Sequence, residues 1–476
     1  MPVDDQAPSG APDVGPAAGA RSGERWRRHP PAVAGCAALT AAVLWPALAH
    51  FRTRAVADPI DSAMFTWLWD VMPRRLASGE NPFRTDLVFH PVGTDLALTT
   101  TSPLIGLLTW PVKAAFGTEA QMNVLQLASM FFAAMATYLL AERVCRRRDA
   151  AFVVGAAFAL LPARFVHVQR HPNLIETGVI PFGLLMFLRF VDQPTRGRAA
   201  ALGATCGAVF LVDPQLAILL GIGLVALGAV HRRTVAAQAR RLLAAVGLAL
   251  LVAAPLLVPM AVTLAAGGAG EPDPTASTIQ YSSSPLSWVV PPVERLWIGH
   301  ALSIEPLTPN DEGIAYPGLV ILGLALAGVA VSDKARRRGW AAIAMVGFVL
   351  SLGPYLFVRD RSLDVPLPFW LLRAVPALDT MRVPGRFAML GALGLCVLAA
   401  TALADLARRF GDGPAAAIYT RAREACAHIR LLADRHRRAV QVHELAGRTG
   451  YVKHAVGRND SAFWFSTTSQ ALVGEE

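Results

Sequence analysis

Between residues 32 and 407 the chain repeats one pattern, in which apolar runs are separated by short turns that are alternately basic and uncharged or acidic. A run of ~20 apolar residues matches the thickness of a bilayer's hydrocarbon core when it is helical. Backbone polarity leaves few other structures available in lipid. Composition agrees with this. Of the 476 residues 54% are apolar and 16% charged, against ~25% charged in a soluble domain. No soluble core hides that much apolar surface, so the bilayer is the expected solvent. The fold class expected is all-α, a polytopic transmembrane helix bundle.

Spans are predicted at about 32–50, 121–142, 150–166, 173–191, 198–212, 215–230, 241–264, 315–331, 340–358 and 387–407, about ten in all. The run 102–117 is short and is read as re-entrant or interfacial. If it crossed, the cluster from Arg143 to Arg148 would lie outside, against the positive-inside rule. With ten spans that cluster is cytoplasmic, as are Arg196 and Arg198, His231 to Arg241, Lys334 to Arg338, and Arg408 with Arg409. This topology puts a multi-pass protein in the plasma membrane with its N-terminus cytoplasmic. Residues 1–30 read as a disordered tail, 31–410 as the membrane domain, and 411–476 as a basic, polar cytoplasmic tail with a candidate helix at 415–445. Outer loops fall at 51–120, 265–314 and 359–386, and in the first of them 62–77 is amphipathic enough to lie along the membrane surface.

The formal net charge is +10, but the basic residues are spread over separate turns and form no nucleic-acid-binding face. The five cysteines show no CxxC or Cys/His metal spacing. Val33-Ala34-Gly35-Cys36 lacks the preceding apolar stretch that a lipoprotein cleavage site needs.

Two acids follow the first span, Asp58 and Asp61. A carboxylate near the outer bilayer face is placed to act as a general base, since partial desolvation raises its pKa. Capping of the surface helix starting at about 62 is the alternative. Asp213-Pro214 joins two short spans, and a carboxylate there is costly against lipid, so Asp213 is expected to face a wet cavity. His167 and His171 lie four apart, a spacing that fits a divalent cation or two ordinary interfacial histidines. Trp67, Trp69, Trp288, Trp297 and Trp370 all fall in outer regions, where an aromatic belt explains them first and sugar stacking second.

Asp61 with Phe65, then Leu76-Ala77-Ser78-Gly79-Glu80-Asn81-Pro82-Phe83, resembles the first outer loop of the GT-C glycosyltransferases, polytopic enzymes that use lipid-linked sugars. The resemblance continues through Ser102-Pro103-Leu104, Phe116-Gly117-Thr118-Glu119 and the following spans to about residue 230. Asn81-Pro82-Phe83, Pro91-Val92-Gly93 and Arg382-Val383-Pro384-Gly385-Arg386-Phe387 resemble actinobacterial polytopic membrane proteins of that type. It implies a GT-C-like bundle that moves a sugar from a polyprenyl-phosphate donor to a hydroxyl on an unidentified acceptor. Asp61 would be the base, with Asp58 as the near alternative. The second outer loop of such enzymes often carries another acid; the matching position here is Asn173, with Glu176 one turn on and His171 beside it. Arg164, Arg170, Arg382 and Arg386 would bind the donor phosphate, because arginine forks fit phosphate oxygens; interfacial snorkelling is the alternative. Glu312 with Tyr316 either touches substrate or anchors its helix. A transporter or lipid flippase, and a GT-C-like assembly protein without catalysis, remain as competing readings.

Overall fold

The computed structural model describes residues 29–57, 59–267, 278–292, 311–358, 361–373 and 381–410. Asp58, Trp297 and the expected helix at 415–445 lie outside them, and so does the side chain of Arg170.

The chain is mostly helical. It opens with α1 (Pro30–Val43) and α2 (Trp45–Ala49), which divide the first expected span at Leu44. Next come α3 (Pro59–Ala77) and α4 (Pro103–Phe116), with a two-stranded sheet between them, β1 (Arg84–Thr85) against β2 (Thr94–Asp95). α5 (Thr118–Cys145) and α6 (Arg148–Ala159) pack closely, because Gly155 lets the two backbones approach; a Cβ there would lie 2.7 Å from the Ala134 carbonyl oxygen. Small residues serve the same purpose between α9 (Arg196–Val212) and α12 (Ala239–Ala265), where a Cβ on Gly207 would meet the Ala249 oxygen at 2.6 Å. Such close backbone contacts take the place of a hydrophobic driving force between helices in lipid.

The expected span 150–166 is broken. Pro162 has no N–H to continue α6 and opens a separate helix, α7 (Pro162–Arg170). α8 (Val179–Asp192) then starts later than expected, after an irregular turn over 171–178 that carries His171, Asn173 and Glu176. α10 (Pro214–Val230) and the short α11 (Arg232–Ala237) precede α12; α13 (Leu319–Val331) and α14 (Lys334–Ser351) follow later in the chain. A second hairpin, β3 (Tyr355–Val358) with β4 (Arg361–Pro366), leads to α15 (Phe369–Arg373) and the last helix, α16 (Phe387–Phe410). The two small sheets are short hairpins in loops, and the chain keeps its mostly helical character.

α16 is the axis of the bundle. Phe387, Leu390, Leu393, Cys396, Val397 and Ala400 are fully enclosed, and α13 and α14 pack along it. α12 turns most of its apolar surface outward, including Leu250, Leu251, Val258 and Val262. Among the described residues three helices are long and apolar enough to cross a membrane, over Thr118–Cys145, Ala239–Ala265 and Pro384–Arg409. Four shorter apolar helices accompany them: Pro30–Val43, Pro103–Phe116, Pro214–Val230 and Leu319–Val331.

Trp69 and Trp288 are not belt residues. Both are buried, and their indole N–H groups donate to the Thr101 carbonyl (3.1 Å) and to Ser351 Oγ (3.2 Å). A buried indole N–H needs such a partner.

Candidate active site

The start of α3 is set by polar side chains on α5. Asn123 Nδ2 donates to the Arg54 carbonyl (2.8 Å), its Oδ1 accepts from Val56 N (3.1 Å), and Gln126 Nε2 donates to the Val56 carbonyl (3.1 Å). These two amides, three apart on one face of a helix, hold the chain just before Pro59. Asp61 therefore lies inside the first turn of α3 and not at its cap, as the expected start at 62 had implied.

From there the polar groups of four segments join. Asp61 Oδ2 is 2.8 Å from His171 Nδ1, and His171 Nε2 is 2.8 Å from Glu312 Oε1. Arg386 Nη2 donates to the same Oε1 (2.9 Å) and its Nε to Oε2 (3.3 Å), a forked pairing. Arg386 Nη1 also donates to Gln215 Oε1. Ionised carboxylates only accept, so His171 satisfies Asp61 and Glu312 together only with a proton on both nitrogens.

Glu312 is the hub. Its side chain is 5% exposed. Burial alone pushes its carboxyl up, but the charges of Arg386 and His167 and the hydrogen bonds from His171 and Arg386 outweigh this and hold it well below the usual carboxylate range. Gly385 makes the pairing possible: a Cβ at that position would collide with the Glu312 backbone oxygen, and the Gly385 N–H donates to the Tyr281 carbonyl (2.9 Å). The Val383-Pro384-Gly385 turn thus seats Arg386 against Glu312. Nearby, Tyr316 Oη accepts from Leu319 N (3.2 Å), which anchors the start of α13.

The other expected residues fall elsewhere. Asn173 Nδ2 donates to Asp213 Oδ2 (2.8 Å), while Asp213 Oδ1 caps α10 by accepting from Gln215 N (2.7 Å) and Leu216 N (3.3 Å). Asp213 is fully buried, and in place of the expected exposure to water its carboxylate is held by protein donors. Arg164 is corrected as a phosphate ligand. It is 1% exposed and donates to Thr177 Oγ1 (2.6 Å), the Ala159 carbonyl (2.8 Å) and the Ile175 carbonyl (2.8 Å). A guanidinium so committed braces the turn that carries His171 and Asn173. Glu176 is half-buried within electrostatic reach of Arg164, and Arg382 is exposed one turn before Arg386.

His167, His171 and Glu312 can each present one ligand atom, and those atoms lie within 4.8 Å of one another. Two imidazoles and a carboxylate suit a first-row transition cation better than magnesium, which prefers oxygen. His167 Nδ1 is buried without a hydrogen-bond partner, so the present hydrogen bonds do not satisfy this ring. In such a set Asp61 would orient His171 from behind, through Nδ1. Gln215 and the hub position of Glu312 were not apparent from spacing, since each partner lies in a distant loop.

A polar network bridging loop segments at one end of an apolar helical bundle defines a polytopic membrane protein with a built site. The chain belongs to the family described as a domain of unknown function (DUF6311), which matches residues 32–420. The curated proteins contain no match. Among solved structures the chain is similar to the Archaeoglobus fulgidus oligosaccharyltransferase tethered with an acceptor peptide containing the NVT sequon. That match is 14% identical with a TM-score of 0.44, and covers 81% of this chain and 50% of that one. The apo form of the same enzyme is 14% identical with a TM-score of 0.42, covering 86% of this chain and 55% of that one. The chain thus spans about half the length of these solved structures.

Proposed function

We propose that the protein is a GT-C-like glycosyltransferase of about ten spans, working at the extracytoplasmic face of the plasma membrane on a polyprenyl-phosphate sugar donor. The observation that carries this reading is the chain Asp61–His171–Glu312–Arg386, which links an acid, an imidazole and a guanidinium from four separate segments. Structural ion pairs alone do not require an acid at the accessible end of a buried network, and Asp61 is at that end, with 38% of its side chain exposed.

In the reaction, the acceptor hydroxyl oxygen attacks the anomeric carbon and its proton passes to Asp61. The bond from that carbon to the phosphate oxygen breaks, and polyprenyl phosphate leaves with the electron pair. His171 orients Asp61 from the opposite side, and Glu312 holds His171. Negative charge grows on the departing phosphate, where Arg382 would meet it and Arg386 would add positive potential through the network. Were a divalent cation held by His167, His171 and Glu312, His171 Nε2 would give up its proton and its bond to Glu312 to ligate the ion, and the ion would supply charge stabilisation there.

The test is turnover of radiolabelled polyprenyl-phosphate mannose and arabinose by the purified protein. Asp61→Asn is expected to lower turnover by ~10²-fold or more, the usual contribution of a positioned base. Wild-type turnover in Asp61→Asn would remove the assigned base. Donor flux across proteoliposomes without chemical change would identify a transporter instead.

A further inference from the structure

The Asn81-Pro82-Phe83 and Pro91-Val92-Gly93 motifs have no part in the site. They form the base and the tip of one hairpin, that of β1 and β2. At its base Asn81 Oδ1 accepts from Phe83 N (2.9 Å), and Arg75 Nε donates to the Asn81 carbonyl (3.1 Å). Phe83 and Ala97 are buried against Met72 of α3 and Leu256 of α12, with Phe210, Leu211 and Met260 packed around them. Thr263 Oγ1 of α12 donates to Asp95 Oδ2 of β2 (2.9 Å). The base is therefore fastened to the end of a helix long and apolar enough to span the bilayer.

The tip is different. Leu87, Phe89 and Val92 are 67%, 73% and 83% exposed. Their backbone is closed and tight: Gly93 N donates to the Phe89 carbonyl (3.0 Å), Leu87 N donates to Thr85 Oγ1 (3.2 Å), and a Cβ on Gly93 would lie 2.6 Å from the Thr85 oxygen. Phe89 has φ 57°, a left-handed backbone that a bulky aromatic rarely adopts, and it directs the ring away from the protein. A rigid turn that holds three large apolar side chains outward is poorly matched to water.

We propose that this hairpin inserts its tip into the adjacent leaflet of the bilayer, so that Leu87, Phe89 and Val92 are covered by lipid acyl chains. The choice of lipid over a protein partner rests on continuity. The helix end to which the hairpin is hydrogen-bonded carries Val258 and Val262, both exposed on the same apolar α12 surface that a bilayer must cover. Arg84, Asp86 and Asp95 sit exposed at the root of the tip, where headgroups and water would meet them. Insertion fixes the depth of the first outer loop, and with it the height of α3 above the hydrocarbon.

The experiment places an environment-sensitive naphthalene maleimide on Val92→Cys, and separately on Leu87→Cys, in the full-length protein reconstituted into phosphatidylcholine vesicles. Wild type carried through the same labelling gives the background from native cysteines, and Glu80→Cys gives an exposed reference. Insertion predicts blue-shifted emission at both tip positions, quenched severalfold by acyl-chain-brominated lipid and little by aqueous iodide. Iodide quenching equal to that at Glu80→Cys, without bromolipid quenching, would overturn the proposal. Protection from both quenchers, which a second copy or another protein segment would give, overturns it too.

Discussion

Arg386→Met tests the hub directly. Methionine keeps the length and apolar bulk of the arginine stem and removes the charge that faces a carboxylate 5% exposed. At 2.9 Å and an effective dielectric of about 20, that attraction is worth roughly 6 kcal/mol. Relief of the arginine's own desolvation returns part of it, so a net loss of ~3–5 kcal/mol is expected, the range seen when a buried pair loses one partner. The pH dependence makes the argument sharper. In the wild type the Glu312 pKa is depressed below its ordinary value of 4.5. Its stabilisation is therefore complete above the unfolded pKa and is lost as pH falls through the folded one. In the variant the His171 hydrogen bond remains but the Arg386 charge and its hydrogen bonds no longer oppose burial, so Glu312 takes up its proton at higher pH than in the wild type. Lowering the pH then favours the variant, and the stability gap should shrink by up to ~1.4 kcal/mol per pH unit across the interval in which only the variant is protonated. Equilibrium unfolding in mixed micelles at a series of pH values measures both quantities. A variant within ~0.5 kcal/mol of wild type at neutral pH, the range of an ordinary surface substitution, or a gap indifferent to pH, would refute the hub.

Three further outcomes are expected. Asn173→Asp places a second carboxylate 2.8 Å from Asp213, a repulsion of roughly 6 kcal/mol at an effective dielectric of about 20; unfolding should show a marked loss that Asn173→Asp with Asp213→Asn recovers. Gly385→Ala drives a methyl group into the Glu312 carbonyl oxygen, and should cost ~1–3 kcal/mol in the same measurement. His167→Ala should weaken zinc or manganese binding, measured by calorimetry on the purified protein, by ~10-fold or more; unchanged affinity would remove His167 from the ligand set.

The membrane character was legible because it is a property of whole segments. Twenty apolar residues in a row have one stable environment, and the long helices α5, α12 and α16 lie close to the predicted runs 121–142, 241–264 and 387–407. What pattern could not show was interruption. Leu160-Leu161-Pro162 is as hydrophobic as its flanks, so hydropathy runs straight through the break between α6 and α7. The missing N–H of Pro162 is what interrupts the helix there, and hydropathy does not register it. Trp69 and Trp288 misled for a related reason: an indole in an outer loop looks interfacial until the Thr101 carbonyl and Ser351 Oγ are seen to receive it.

The site was legible residue by residue but not as a network. Asp61, His171 and Arg386 each stood out as polar groups next to apolar runs. Their connections join residues 110 apart between Asp61 and His171, 74 apart between Glu312 and Arg386, and 171 apart between Gln215 and Arg386. No local periodicity reaches so far. Asn173 shows the consequence. Read by position it looks like the loss of a catalytic acid. In the fold it is the donor to a buried capping carboxylate, that of Asp213. Glu312 reaches His171 from a segment far from Asp61 in sequence, so that two carboxylates flank this one imidazole, a pairing no local pattern displays.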